Sequence, residues 1–157
     1  MTIYMDKYEV KGSELENQVK ETLEEIFEGS SCEVLKGPKI RGCSGSMWRP
    51  DFAIIEKSNN GFAAIIECKG VGLPKSWQYH AQMCEAYIEL NDLRLGPQSP
   101  SAKYYLIVNR PQEVADRRAS KINYKTMFNC INVKLYYWTE LDKEDWQSFN
   151  DEFFQMR

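Results

Sequence analysis

The residues of this chain best suited to do chemistry are two acids and a lysine: Asp51, Glu67 and Lys69. They lie within WRPDFAIIEKSNNGFAAIIECKGVG, residues 48–72. Phe52 to Lys57 and Phe62 to Cys68 are short apolar runs, and Ser58-Asn59-Asn60-Gly61 between them is turn chemistry, so the stretch reads as a β-hairpin. A loop over Ser58–Asn60 sets Lys57 against Gly61, and every pair of facing residue numbers then sums to 118, which places Asp51 opposite Glu67. Directly opposed side chains on one face have Cβ atoms roughly 5 Å apart. Lys69, two residues beyond Glu67, shares that face. Two carboxylates and an ammonium at the open end of an apolar hairpin form a metal site with a lysine beside it. Hard divalent ions such as Mg²⁺ or Mn²⁺ are held by such oxygen donors, and the backbone carbonyl of Cys68 is a further donor for them.

A solvated strand end would be the ordinary setting for such acids. Here Ile54, Ile55, Ala63, Ala64, Ile65 and Ile66 make both strands apolar on both faces, the pattern of central strands covered on each side. Acids at the end of a buried strand need partners or a cation. Arg49-Pro50-Asp51 followed by Glu67-Cys68-Lys69, with the acids sixteen residues apart, resembles the PD-(D/E)XK nuclease superfamily. The resemblance covers roughly residues 11 to 110 and implies a metal-dependent DNA endonuclease with a restriction-endonuclease-like core. It also implies that a glutamine on the helix after the E-x-K strand is aimed at the site, a role that falls weakly on Gln82.

These residues must be positioned by elements on either side. Residues 13 to 28 read as a helix capped by Ser13 with Glu16 three residues on. Leu15, Val19, Leu23, Ile26 and Phe27 span an arc of about 120° at roughly 100° per residue. Glu16 falls inside that arc, and Glu14, Glu21, Glu24, Glu25 and Glu28 fall outside it. Glu16 is therefore either the acid of a capping box or a third acid for the hairpin site. Lys11-Gly12-Ser13 with Glu16 and Val19 resembles the first motif of archaeal Holliday-junction resolvases, and Leu15-Glu16 in an amphipathic helix is similar to the phage endonuclease I type. Both resemblances imply that Glu16 belongs to the active site, near the metal.

Cys32–Lys36 reads as a first strand. The Gly- and Ser-rich loop that follows, GPKIRGCSGSMWRP, carries Lys39, Arg41 and Arg49 up to the metal acid. Such a loop brings cations and backbone N–H groups to phosphates. Ser76–Leu93 reads as a helix with Trp77, Ala81, Cys84, Ile88 and Leu95 as its buried stripe. Its lone His80 reads as a surface or packing residue, with no serine or cysteine partner signalled. Lys103–Asn109 reads as a strand, 112–128 as a basic helix with Arg117, Arg118 and Lys121 available to DNA, and Ile131–Trp138 as another strand. Thr139 would cap a last helix whose apolar side is Trp146, Phe149, Phe153 and Phe154.

The order α, β, β-hairpin, α, β, α, β, α packs as a mixed sheet with helices on both faces. It matches a three-layer α/β/α restriction-endonuclease-like core forming a single domain over residues 1–157. No apolar run approaches the ~20 residues of a membrane span, and MTIYMDKYEVKG has no signal-peptide pattern. The five cysteines form no C-x-x-C pair, which favours reduced thiols in a bacterial, archaeal or viral-host cytosol over a disulfide framework.

The net charge of −3 argues against indiscriminate grip on DNA. Val34 to Pro50 nevertheless holds four basic residues and no acid, and Lys103 to Lys125 holds six basic residues against two acids. A cationic face on an acidic body fits a DNA partner. The small size and the Gly12-Ser13-x-x-Glu16 start favour a homodimer selective for branched DNA. A compact restriction endonuclease or its cleavage subunit is the alternative. A non-catalytic DNA-binding or assembly module and a metal-binding structural protein stand further off, because all four chemical positions are filled.

Overall fold

The computed structural model describes residues 12–70, 76–98, 101–109, 122–139 and 143–157. Helix α1 spans Gly12–Phe27 and strand β1 spans Cys32–Lys36. Two-residue strands β2 (Ile40–Arg41) and β3 (Met47–Trp48) pair with each other. The central strands are β4 (Phe52–Glu56) and β5 (Phe62–Lys69), followed by α2 (Ser76–Arg94), β6 (Lys103–Val108), α3 (Tyr124–Asn129), β7 (Val133–Tyr137) and α4 (Lys143–Met156).

Five strands form one sheet in the order β1-β4-β5-β6-β7. Pairing is antiparallel from β1 to β5 and parallel from β5 to β7. A tight turn suffices between β4 and β5. The parallel steps need crossovers, and these carry α2 and α3. The two faces hold separate cores. Leu15, Val19, Leu23, Ile26 and Phe27 of α1 and Phe149 and Phe153 of α4 pack on Phe52, Ile54, Ala64, Ile66, Tyr105 and Ile107. Tyr79, Met83, Ala86, Leu90 and Leu93 of α2 and Tyr124 and Phe128 of α3 pack on Ala53, Ile65, Tyr104, Leu106 and Val108. The chain is thus a mixed α/β fold with a five-stranded mixed sheet between helices. β4 and β5, both apolar on both faces, sit inside the sheet as their composition requires.

Five expectations need correction. Near its turn the β4–β5 hairpin slips by one: Phe52, Ala53 and Ile54 keep the sum of 118, but a bulge follows and Ile55 pairs with Phe62. Glu56, not Lys57, makes the closing bond with Gly61, because Asn60 takes a left-handed conformation (φ 56°) that tightens the turn. The Gly/Ser-rich loop is also more ordered than a plain connection, since it contains β2 and β3.

The third correction concerns the buried stripe of α2, which is Tyr79-Met83-Ala86-Leu90-Leu93. The expected stripe faces the other way, with Ile88 62% and Leu95 55% exposed. Both sets repeat at helical spacing and lie about 190° apart at 100° per residue, so periodicity alone could not choose between them. The side chain of Trp77 lies outside the described residues. Fourth, a continuous helix over 112–128 does not form. Asn123 is extended and its side chain accepts from the Thr126 N–H, capping a new short helix, α3. Residues 110–121 lie outside those described.

Fifth, α4 is described over Lys143–Met156, the stretch 140–142 that would join it to the expected Thr139 cap lies outside the described residues, and of its expected apolar side only Phe149 and Phe153 are buried. Trp146 and Phe154 are 45% and 59% exposed. Helix α1 is described from Gly12 onward, and the side chain of the expected Ser13 cap lies outside the described residues.

Candidate active site

Alternation along β5 decides which side chains meet. Ala64 and Ile66 belong to the core under α1, and Ile65 to the core under α2. Glu67 and Lys69 continue the Ile65 series toward α2, and Cys68 continues the Ala64 series toward α1. The register Phe52–Ile66 extended by one residue sets Asp51 against Glu67. The Asp51 carboxyl lies close enough to Glu67 to raise the Glu67 pKa through hydrogen bonding and charge. The Cys68 N–H donates to Asp51 Oδ2 at 2.7 Å and to Glu67 Oε1 at 3.3 Å. One backbone donor thus serves both acids at the point where β4 begins and β5 ends.

Glu67 is 6% exposed. Burial is the main reason its pKa stands far above the ordinary carboxylate range; hydrogen bonds and charge from Asp51 and Glu89 raise it further. Glu89, on α2 and also 6% exposed, is therefore a third carboxyl close to Glu67. A buried acid among acids holds a proton or meets a cation. Lys69 forms an ion pair with Glu85 of α2 at 3.1 Å. Burial pulls the Lys69 ammonium down, but Glu67, the Glu85 pair and Glu89 outweigh it, and its pKa ends above the usual value. Lys69 is thus a charged donor beside the acids.

The other expected site residues stand further out. Glu16 is half-buried while Glu14, Glu21, Glu24, Glu25 and Glu28 are exposed, so it points inward as the arc implies. It reaches the site from the opposite side of the sheet. Burial first, then the charges of Asp51, Glu67 and Glu16, push the Cys68 thiol up, and no hydrogen bond joins Glu16 to Asp51 or Glu67. Gln82 lies on α2 one turn before Glu85. Its Oε1 is buried without a hydrogen-bond partner among the described residues. His80 packs: its Nδ1 is 2.7 Å from Tyr124 Oη. A cysteine does lie near it, contrary to the sequence reading, with Cys84 Sγ 3.6 Å from Nε2.

Glu85 and Glu89 are the site residues that sequence reasoning missed. At 100° per residue Gln82, Glu85 and Glu89 fall within about 60° of one another, and with the true stripe inward they border the buried face. That arc was the available signal, and the wrong phase for α2 hid it.

The donor set of Asp51, Glu67, Glu89 and the Cys68 carbonyl is all oxygen, the chemistry of a hard divalent cation. Among the described residues no group of three or more His, Cys, Asp and Glu side chains already has metal-holding geometry. The fit rests on donor type and on the buried, proton-demanding Glu67.

Of the expected DNA contacts, Lys39, Arg41 and Arg49 lie on the segment that carries β2 and β3, all three exposed, and none forms an ion pair with another described residue. Arg117, Arg118 and Lys121 lie outside the described residues. No helix among the described residues is long and apolar enough to cross a membrane, and all five cysteines are free. No protein-family model matches the chain, and no curated protein resembles it closely enough to count as a match.

Proposed function

We propose that this chain is a divalent-cation-dependent DNA endonuclease of the PD-(D/E)XK type, hydrolysing phosphodiester bonds. The observation that carries the reading is the meeting of Asp51, Glu67 and Lys69 on one face at the open end of β4 and β5, with Glu67 buried among acids. Acids that serve only the fold are given donors, and here Asp51 and Glu89 bring two further carboxyl groups to Glu67.

Asp51, Glu67 and the Cys68 carbonyl would hold Mg²⁺ or Mn²⁺, with Glu89 alongside and Glu16 adding negative charge from the α1 side. The cation would supply charge neutralisation at the scissile phosphate and a more acidic water. Lys69, charged and 19% exposed along its side chain, would donate to the attacking water or to a phosphate oxygen as negative charge develops there. The apolar floor of Ile65 and Ala53 keeps bulk water from the inner side of the acids, which strengthens each of these interactions. Lys39, Arg41 and Arg49 would meet the DNA backbone. Gln82, one turn along α2, would line the entry to the acids.

Branched DNA cut by a homodimer in recombination or repair is the favoured substrate within this reading, on the strength of the Gly12-Ser13-x-x-Glu16 start. A restriction enzyme or its cleavage subunit is the alternative, and an acidic exterior that does not grip DNA indiscriminately suits it. Both place the protein in the cytosol.

The test is cleavage of a four-way junction, a flap, a linear duplex and a single strand with Mg²⁺ or Mn²⁺, beside Asp51→Ala and Lys69→Ala. Junction cutting lost in both variants is expected. Cutting that survives both would remove the active-site assignment. Cutting of linear duplex at one sequence without junction preference would select the restriction reading. Binding without cutting by the wild type would leave a non-catalytic DNA-binding module.

A further inference from the structure

The segment that carries Lys39, Arg41 and Arg49 is fastened to α2. It opens and closes at the acid site, where the Gly37 N–H donates to the Asp51 carbonyl at 2.9 Å. Its far end is held by one residue, Asp92. Trp48 Nε1 and Ser44 Oγ both donate to Asp92 Oδ2 at 2.7 Å, and the Ser44 N–H donates to Oδ1 at 2.8 Å. The Cys43 N–H donates to the Asp92 carbonyl at 3.0 Å. The Arg41 N–H donates to Gln98 Oε1 at 2.6 Å, just past the end of α2.

Two glycines permit this approach. A Cβ on Gly42 would lie 2.0 Å from Asp92 Oδ2, and one on Gly96 would lie 2.7 Å from the Arg41 carbonyl. The β2–β3 hairpin also buries Ile40 fully and packs Trp48 on the core under α2. The docking is thus written into six positions: Gly42, Ser44, Trp48, Asp92, Gly96 and Gln98.

Asp92 lies three residues beyond Glu89, about 4.5 Å along the helix axis at 1.5 Å per residue. At 100° per residue it shares one flank of α2 with Glu85 and Glu89. That flank therefore holds the acid–lysine cluster with one turn and the cationic hairpin with the next. An ordinary surface turn would not need an acid with three donors, two glycines on facing elements and a packed indole.

We propose that Asp92 is a positioning residue that holds the β2–β3 hairpin on α2, so that Lys39 and Arg41 meet backbone phosphates of duplex DNA in register with the Asp51–Glu67–Lys69 cluster. The inference rests on the endonuclease reading for its substrate. Asp92 itself touches neither DNA nor the reacting atoms. Its sign is diagnostic. Removing an acid beside a DNA-binding surface normally strengthens binding by lowering repulsion, whereas removing a positioning residue weakens it.

The experiment measures binding of a mixed-sequence duplex by fluorescence anisotropy in Ca²⁺, at several salt concentrations, and cleavage in Mg²⁺. The proteins are wild type, Asp92→Ala, Asp92→Asn, Gly42→Ala, Lys39→Ala/Arg41→Ala and the combined variant. Thermal melting verifies that each is folded. Asp92→Ala is expected to weaken binding about tenfold, the worth of one or two charge-assisted hydrogen bonds, and to lower the salt slope by about one for each phosphate no longer neutralised. KM rises by the same factor while kcat at saturation stays within about twofold, as for an interaction outside the chemistry.

Asp92→Asn keeps one acceptor and is expected to fall between the two, and Gly42→Ala, which leaves every charge in place, to repeat the Asp92→Ala result. Adding Lys39→Ala/Arg41→Ala to Asp92→Ala should cost almost nothing more. Tighter or unchanged binding by Asp92→Ala, or additive losses in the combined variant, would overturn the inference. So would a wild type that does not bind duplex DNA. A wild type that binds but never cuts would overturn the nuclease reading alone, because the binding series still decides the role of Asp92.

Discussion

Two glutamates in this protein sit against the same sheet in opposite circumstances. Glu152, on α4, accepts hydrogen bonds from Tyr105 Oη at 2.8 Å, Tyr136 Oη at 2.5 Å and Lys134 Nζ at 2.8 Å. Burial alone would raise its pKa, but the bonds from Lys134, Tyr136 and Tyr105 hold it below the ordinary range. Glu67, on β5, meets two other carboxyl groups, and burial with those neighbours drives its pKa the other way. The first arrangement is complete as it stands, and its acid serves packing between α4 and the sheet. The second is complete only with a proton or a cation. The contrast separates a structural carboxylate from one kept for chemistry, and substitutions on either side can break it.

The largest effect expected is on catalysis, and the two lysines divide it. Lys69→Ala should lower DNA cleavage on the order of 10³-fold, the scale of a lost group that stabilises transition-state charge, with little change in melting temperature. Lys134→Ala removes the lysine of the other cluster. Its side chain is 58% exposed, so cleavage should stay at the wild-type rate and stability fall by less than about 1 kcal/mol. Equal cleavage losses in the two variants would erase the distinction between the clusters.

Next is stability. Glu152→Ala leaves the hydroxyls of Tyr105 and Tyr136 without their acceptor, and both rings are buried. A cost of about 2 kcal/mol is expected from orphaned buried donors, read by urea unfolding, with cleavage per folded molecule unchanged. Glu67→Gln should act in reverse: cleavage is lost, while stability without divalent ions holds or rises, because an amide needs no proton. Glu67→Gln destabilising more than Glu152→Ala in EDTA would show that Glu67 is a structural acid after all.

How much of this contrast was legible in the sequence depended on the range of the signal. The β4–β5 pairing, the alternation that separates Cys68 from Glu67 and Lys69, and the inward turn of Glu16 are local, and spacing within one element or one hairpin carries them. The register failed only at the turn, where left-handed Asn60 sets a bulge that no apolar pattern marks. Glu89 and Asp92 were illegible because α2 offers two apolar stripes on opposite sides, and only its packing against Tyr104, Leu106 and Val108 selects one. The Glu152 cluster was illegible because its donors come from β6 and β7 while the acid sits on α4, and no spacing rule connects them. Side-chain hydrogen bonds between distant elements, such as Trp48 to Asp92, follow from the tertiary fold.

The two glutamates should also give pH slopes of opposite sign in metal-free buffer. Glu67 has a folded pKa above its unfolded value. Its native form therefore holds a proton that the unfolded chain has lost, and stability falls as pH rises above the unfolded value toward the folded pKa. The slope is at most about 1.4 kcal/mol per pH unit for one proton. Glu152 has a lowered folded pKa, so its contribution is present above the unfolded value and is lost as pH falls through the folded one. Melting temperature against pH for the wild type, Glu67→Gln and Glu152→Gln in EDTA separates the two. Glu67→Gln should flatten the neutral-to-alkaline decline, and Glu152→Gln should flatten the acid limb. A wild type without a decline above about pH 5 would mean that Glu67 ionises freely, contrary to its surroundings.

The smallest effect is the one most specific to the cation. A proton and a divalent ion compete for Glu67, so Mg²⁺ or Mn²⁺ should stabilise the wild type more at about pH 8 than at about pH 6. At a tenfold excess over the dissociation constant the gain is about 1.4 kcal/mol. It should persist in Glu152→Gln, whose altered acid has donors of its own, and vanish in Glu67→Gln and Asp51→Ala. The Glu89→Gln variant sharpens the point, because Glu89 and Asp51 both raise the proton affinity of Glu67. If Glu89 joins in holding the ion, its variant lowers the shift and keeps the pH dependence. If Glu89 only raises the proton affinity of Glu67, its variant binds the ion better at the lower pH and the pH dependence shrinks. A shift of equal size in every one of these proteins would place the ion elsewhere on the acidic surface and leave Glu67 a buried carboxylic acid that keeps its proton.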